Sequence, residues 1–201
     1  MKKFKIFVDM DKEEKYLNDK AKNGFMLKNY SSFGVYTFMK AEPEDLNYRI
    51  DYRMFKSEME FEQYKTLFQD AGWVHVSGTK YSGSQYFLPK STNMDLCDIF
   101  SDVESKCARY KRLKKQSLSS FMIMLTYLIV IFSVYGFKLS NFGYLTPGLW
   151  EKNGSNFWSA FIFETPFVIL RIVPCIFFMM CTIMYGYGSF KAKILYKKSL
   201  I

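Results

Sequence analysis

SLSSFMIMLTYLIVIFSVYGF, Ser117 to Phe137, is 21 residues without a charge, and IVPCIFFMMCTIMYGYGSF, Ile172 to Phe190, is 19 more. A bilayer core about 30 Å thick takes roughly 20 apolar residues of helix. Each stretch is therefore expected to cross a membrane, and together they form a two-helix transmembrane hairpin. Working outward, Lys106, Arg109, Lys111, Arg112, Lys114 and Lys115 precede the first stretch, and Lys191, Lys193, Lys197 and Lys198 follow the second. The loop between them holds only Lys138 and Lys152, with Glu151 beside the latter. The positive-inside rule then predicts a two-pass protein of the cell membrane with both termini cytoplasmic and the loop outside.

The net charge of +9 divides unevenly. Residues 1–105 carry 15 Lys/Arg and 17 Asp/Glu, whereas residues 106–201 carry 13 and 2. The basic excess is juxtamembrane, so nucleic acid is not an expected partner, because that needs a basic face on the domain itself. Anionic lipid headgroups are the expected partners of Lys106, Arg109, Lys111, Arg112, Lys114 and Lys115, at about 1 kcal/mol each. The four cysteines (97, 107, 175 and 181) show no metal-ligand spacing, and His75 has no cysteine nearby. No cofactor or metal site is expected, and the thiols are expected to be reduced. The start is no signal peptide, since the apolar run Phe4 to Val8 is broken by Lys5 and meets Asp9.

In the second stretch, Glu164 and Arg171 lie seven residues apart, on one helix face, with Pro174 just beyond. Charge at membrane depth marks a candidate functional site, and Pro174 predicts a kink. The plainer reading has Arg171 reaching outward to the interface and Glu164 among headgroups. Neither span has the small-residue spacing of a close helix pair.

The first half reads as two β-α-β-β units about 48 residues apart. Strand Phe4–Val8, helix Lys12–Lys22 capped by Asp11, and strands 25–30 and 35–40 make the first. Strand Asn47–Arg53, helix Glu58–Asp70, and strands 74–77 and 85–88 make the second. Gly24-Phe25 matches Gly72-Trp73, and Tyr36-Thr37-Phe38 loosely matches Ser84-Gln85-Tyr86. The expected fold class is α+β, one antiparallel sheet with helices on one face, followed by the hairpin. The predicted organisation is a cytosolic domain over 1–92, a helical basic stalk over 93–116, a first transmembrane helix over 117–137, and an outer loop over 138–158. A second helix with an interfacial segment covers 159–190, and a basic tail covers 191–201.

Glu13 and Glu14 sit in a first helical turn, where the dipole favours negative charge; adjacent residues point about 100° apart and cannot share one site. Arg49, Asp51 and Arg53 line one face of a strand, either as an anion site or as an exposed charge ladder. With Trp73 and Tyr86 they are the candidates for a recognition surface on the sheet. His75 is expected to face solvent. No nucleophile or phosphate-loop motif occurs, so no catalytic residue is named and an enzyme is not favoured.

The series Glu13-Glu14-Lys15-Tyr16-Leu17-Asn18, Gly24-Phe25, Tyr36-Thr37-Phe38, Glu42-Pro43, Tyr48-Arg49-Ile50-Asp51-Tyr52, Ala71-Gly72-Trp73 and Arg109-Tyr110-Lys111-Arg112 resembles the DUF2812 family of Gram-positive bacteria over about residues 5–115. The resemblance implies a domain ahead of membrane helices, with no assigned activity or catalytic residues, in a family whose members often stand beside PadR-like regulators. Two functions are carried forward. One is a membrane-tethered interaction or sensor module in a regulated membrane or stress response, with a protein partner or self-association. The other is a small membrane subunit for transport or for immunity to membrane-active peptides, acting through the hairpin.

Overall fold

The computed structural model describes residues 1–32, 34–90, 98–136 and 138–200. The elements run β1 (Lys2–Phe4), α1 (Met10–Lys22), β2 (Phe25–Ser31), β3 (Val35–Lys40), β4 (Arg49–Tyr52), α2 (Glu58–Asp70), β5 (Trp73–Ser77), β6 (Ser84–Pro89), α3 (Val103–Tyr135) and α4 (Gly154–Lys198). Two units emerge. One holds Met1–Lys115 together with Ser189–Ile201, and the other holds Gln116–Gly188.

Within the first unit the chain repeats itself. α1 and α2 are each 13 residues long, offset by 48. Asp9 caps α1 by accepting from Lys12 N, and Ser57 caps α2 by accepting from Glu60 N. Glu60 returns a carboxylate oxygen to Lys56 N at 3.1 Å, a capping-box exchange. The cap of α1 is thus Asp9, two residues ahead of the expected cap Asp11. Each helix ends at a glycine of positive φ, Gly24 (75°) and Gly72 (86°). A Cβ on Gly24 would lie 2.9 Å from the carbonyl of Ala41. Gly24→Ala is expected to cost about 1–2 kcal/mol, from the left-handed backbone and this clash together, read as a lower melting temperature.

The strand order is β1-β3-β2 in one antiparallel sheet and β4-β6-β5 in the other, so the two repeats share one topology. Each carries a bulge at the same place in the repeat, between Leu27 and Asn29 in β2 and between His75 and Ser77 in β5. Register equates Phe38 with Phe87 and Thr37 with Tyr86, so the final strands are offset by 49 and not 48. The expected single sheet is in fact two. Their edges meet at β2 and β5 through side chains: Tyr30 N donates to Ser77 Oγ at 2.9 Å, and Ser77 Oγ to Asn29 Oδ1 at 3.2 Å. A bulge twists its strand and interrupts the ladder, and here both meeting strands are bulged.

Two cores result. The first gathers Met10, Leu17 and Ala21 of α1, Leu27, Tyr36 and Phe38 of the first sheet, Ile50 and Tyr86 of the second, Tyr110 of α3 and Leu195 of α4. The second is Phe55, Phe61, Tyr64, Trp73 and Phe87 under α2. Strands β4 and β6 are therefore covered on both faces, which corrects the expectation of helices on one face only.

The second unit holds the apolar parts of α3 and α4, two helices long and apolar enough to cross a membrane. Few of these apolar side chains are buried inside the protein, so the helices are not a soluble core. The connecting segment folds as two short 3-10 turns, Leu139–Phe142 and Leu149–Glu151. α4 begins at Gly154, inside the expected loop, and takes in Pro166 and Pro174 without a break in the helix. Gly186 and Gly188 sit against Phe121 and Ser117, so the two helices do use small residues for close approach, against the expectation from spacing alone.

Candidate functional site

The α+β unit has a chain of buried polar groups at its centre. It begins on α1, whose inward stripe is Met10, Glu13, Glu14, Leu17 and Ala21. Two carboxylates therefore stand in an apolar face. Glu13 Oε1 accepts the hydroxyls of Tyr36 at 2.5 Å and Tyr86 at 2.6 Å. Glu13 is 3% exposed. Burial pushes its carboxyl up to about 7, against the opposite pull of the two tyrosine hydrogen bonds.

Glu14 turns toward β4. Its Oε1 accepts from Ile50 N at 3.0 Å and from Arg109 Nη1 at 2.7 Å. Arg109, on α3, has no exposed surface. It also donates to the Ile50 carbonyl at 2.9 Å and to Asp11 Oδ1 at 2.6 Å. Burial raises the Glu14 carboxyl while Arg109 opposes it. Burial acts to lower the Arg109 guanidinium, but Glu14 and Asp11 win and hold it above its usual range. One turn on, Arg112 donates to the Tyr52 carbonyl at 2.6 Å and pairs with Asp51. Asp51 in turn accepts the Tyr64 hydroxyl at 2.8 Å.

The arrangement has a clear structural logic. β4 is an outer strand, and its free backbone groups would otherwise be open to another chain. Tyr48 N goes to Asn18, Ile50 N to Glu14, and the carbonyls of Ile50 and Tyr52 to Arg109 and Arg112. Side chains of α1 and α3 thus complete the edge of the sheet. Nearby, Arg49 pairs with Glu14 at 3.5 Å and faces Asp98 at 3.4 Å, and Lys106 pairs with Asp98.

Several sequence expectations change here. Glu13 and Glu14 are not dipole-neutralising surface groups; both are buried, because they occupy the apolar stripe of α1. Asp51 is buried, Trp73 is 3% exposed and Tyr86 has no exposure, so these three cannot form a surface recognition platform. Of that set only Arg53 is exposed, over the rings of Phe55 and Tyr64. His75 is half-buried and partnered rather than free in solvent. It packs edge-on to Phe61 and Phe87, bonds Gln85 at 2.9 Å, and is lowered in pKa by burial. Val74, on the opposite side of β5, is exposed instead. Among the expected headgroup ligands, Arg109 is spent inside the domain, the partly exposed Arg112 on Asp51 and the Tyr52 carbonyl, and Lys106 on Asp98. Lys111 and Lys115 are exposed, and Lys114 is half-buried.

Glu13, Tyr36 and Arg109 as a centre escaped the sequence reading. The available signal was helical spacing: Met10, Glu13, Glu14, Leu17 and Ala21 fall at i, i+3, i+4, i+7 and i+11, a charged pair in an apolar stripe.

In the hairpin unit, Glu164 accepts from Leu145 N, from Thr146 N at 3.0 Å and from Thr146 Oγ1. Arg171 Nη2 lies 3.4 Å from Glu164, its Nη1 3.4 Å from the Asn141 carbonyl, and its Nε 3.1 Å from the Phe167 carbonyl. Two of the three candidate residues, Glu164 and Arg171, are thus brought together, with Glu164 pinning the connecting segment to α4. Pro174 makes no part of this group, and α4 continues through it.

Compared with known proteins, the chain matches a family described as "Protein of unknown function (DUF2812)" over residues 9–122, a stretch that takes in Glu13, Asp51, Arg109 and Arg112. No curated protein and no solved structure matches it.

Proposed function

We propose, for a chain that belongs to the DUF2812 family, that it is a two-pass membrane protein whose α+β domain works as an interaction or sensing module on the cytoplasmic side. The observation that carries this reading is Arg109. The helix that supplies this fully buried arginine is the one whose later residues are apolar enough to cross a bilayer. Within the α+β unit the first turns of α3 are held by the side chains of Arg109 and Arg112. The charge balance supports the orientation, with basic residues at the domain-side ends of both apolar stretches. Since Trp73 and Tyr86 are inside, the surface proposed for a partner is the exposed apolar group Met54, Met59, Leu67 and Tyr81 around α2 and the β5–β6 turn.

The test is twofold. A reporter inserted at Lys152 is expected to be reached only from outside the cell, and reporters at either terminus only from within. Photo-crosslinkers placed at Met59 and Tyr81 of the full chain are expected to capture a protein partner. Capture only from crosslinkers in 138–152 would instead favour the transport or immunity reading, for which the Glu164–Arg171 pair is the supporting observation.

A further inference from the structure

We propose that Arg171 holds the phosphate of a phospholipid in a groove of the hairpin unit; this rests on the reading of α3 and α4 as membrane spans. The groove has a volume of about 700 Å³ and is lined by Tyr135 at the end of α3, Leu145 and Thr146 of the connecting segment, and Phe163, Phe167 and Arg171 of α4. That size falls in the range of roughly 300–1,000 Å³ for small-molecule sites.

The polar groups of the groove are unequally satisfied. Glu164 already receives two backbone N–H groups and a hydroxyl, so it serves the fold. Arg171 has five donors in a planar fork. Its contacts are one carbonyl at 3.1 Å and two acceptors at 3.4 Å, near the limit of a hydrogen bond. Its side chain is only 12% exposed. A guanidinium so placed retains capacity for an oxyanion, and a phosphate suits its fork.

Depth selects the source of that phosphate. The next charge along α4 is Lys191, 20 residues after Arg171, or about 30 Å of helix. That is the thickness of a bilayer core, so Arg171 lies at the height of the lipid phosphates on the loop side. Beside it, Tyr135 and Leu170 line the same groove and offer apolar contact to the glycerol. A free inorganic anion would gain nothing from that contact.

The experiment uses the detergent-purified full chain, titrated with a short-chain phosphatidylglycerol and, as control, the diacylglycerol of equal chain length that lacks phosphate. Binding is followed by tryptophan emission, since Trp150 packs on Tyr144 next to Leu145. Wild type is expected to bind the phospholipid and not the diacylglycerol. Arg171→Gln is expected to bind about tenfold more weakly, the effect of about 1.4 kcal/mol of lost charged hydrogen bonding. Equal affinity for both amphiphiles, unchanged binding by R171Q, or displacement by inorganic phosphate would each overturn the proposal. Should R171Q fail to fold, Leu170→Ala, at a position 68% exposed, is expected to weaken the same binding, and no loss there also refutes it. Recovery of the wild-type chain in the soluble cell fraction would instead remove the membrane reading on which the site depends.

Discussion

Arg109→Met is expected to lower the stability of the protein by about 3–5 kcal/mol, the cost of removing one partner from a buried ion pair. The guanidinium is wholly enclosed, and in its place the variant leaves Glu14 and the Ile50 carbonyl without their donor. Asp11, more than half exposed, can turn to water; Glu14 cannot. An ordinary domain has about 5–15 kcal/mol in total, so the loss removes a large share. Near-UV circular dichroism of the full chain in mild detergent reads it as a lowered melting temperature, because the core is rich in tyrosine. Lys111→Met, two residues away on the exposed side of the same helix, is expected to stay within about 0.5 kcal/mol of wild type. Equal melting of R109M and K111M would show that the buried network does not hold α3 in the domain.

Glu13 governs the largest expected pH effect. Its carboxyl is raised from 4.5 to about 7 in the folded protein, so the fold holds this proton more tightly than the unfolded chain does. Neutral Glu13 therefore contributes its full stability below about pH 4.5. As pH rises from there to about 7, the unfolded chain gives up the proton and the fold keeps it, so stability falls; above 7 the penalty is complete. The gap corresponds to about 3 kcal/mol. Glu13→Gln keeps an oxygen to accept from Tyr36 and Tyr86 but cannot titrate. The stability of E13Q relative to wild type is thus expected to climb by about 3 kcal/mol between pH 4.5 and 8, whatever its constant offset. Parallel pH profiles for the two proteins would place the Glu13 carboxyl at its ordinary value.

Much of the fold was legible because it rests on local chemistry. The helix Glu58–Asp70, the glycine stops at 24 and 72, and the 48-residue repeat follow from capping, left-handed glycines and periodicity. The apolar stretches followed from length alone. What could not be read was which groups the long-range packing encloses. Asp51 and Arg49 alternate with Tyr48, Ile50 and Tyr52 as in a half-exposed strand, and the side chains that meet the polar side, Glu14 of α1, Tyr64 of α2 and Arg112 of α3, come from distant parts of the sequence. The same is true of Arg109, which in sequence is one basic residue among six. The split into two sheets depends on bulges at Leu27/Asn29 and His75/Ser77, which carry no residue signature. The predicted stalk from residue 93 begins in a stretch, 91–97, that lies outside the described residues.

The way α3 and α4 return to the first unit bears on where this protein can be cut. Read by composition, the chain invites excision near residue 92 or 105. Either cut would discard Arg109, Tyr110 and Arg112, leaving the Ile50 and Tyr52 carbonyls of the outer strand β4 without their donors and Glu14 with Arg49 alone. Trimming the end of the chain would take away Leu195 and Ala192, both enclosed, and the Ser199 carbonyl that receives the Cys107 thiol at 2.9 Å. The smallest self-sufficient piece is therefore discontinuous, residues 1–115 plus 189–201, and an expression fragment should join those two ends with a short polar bridge in place of the hairpin.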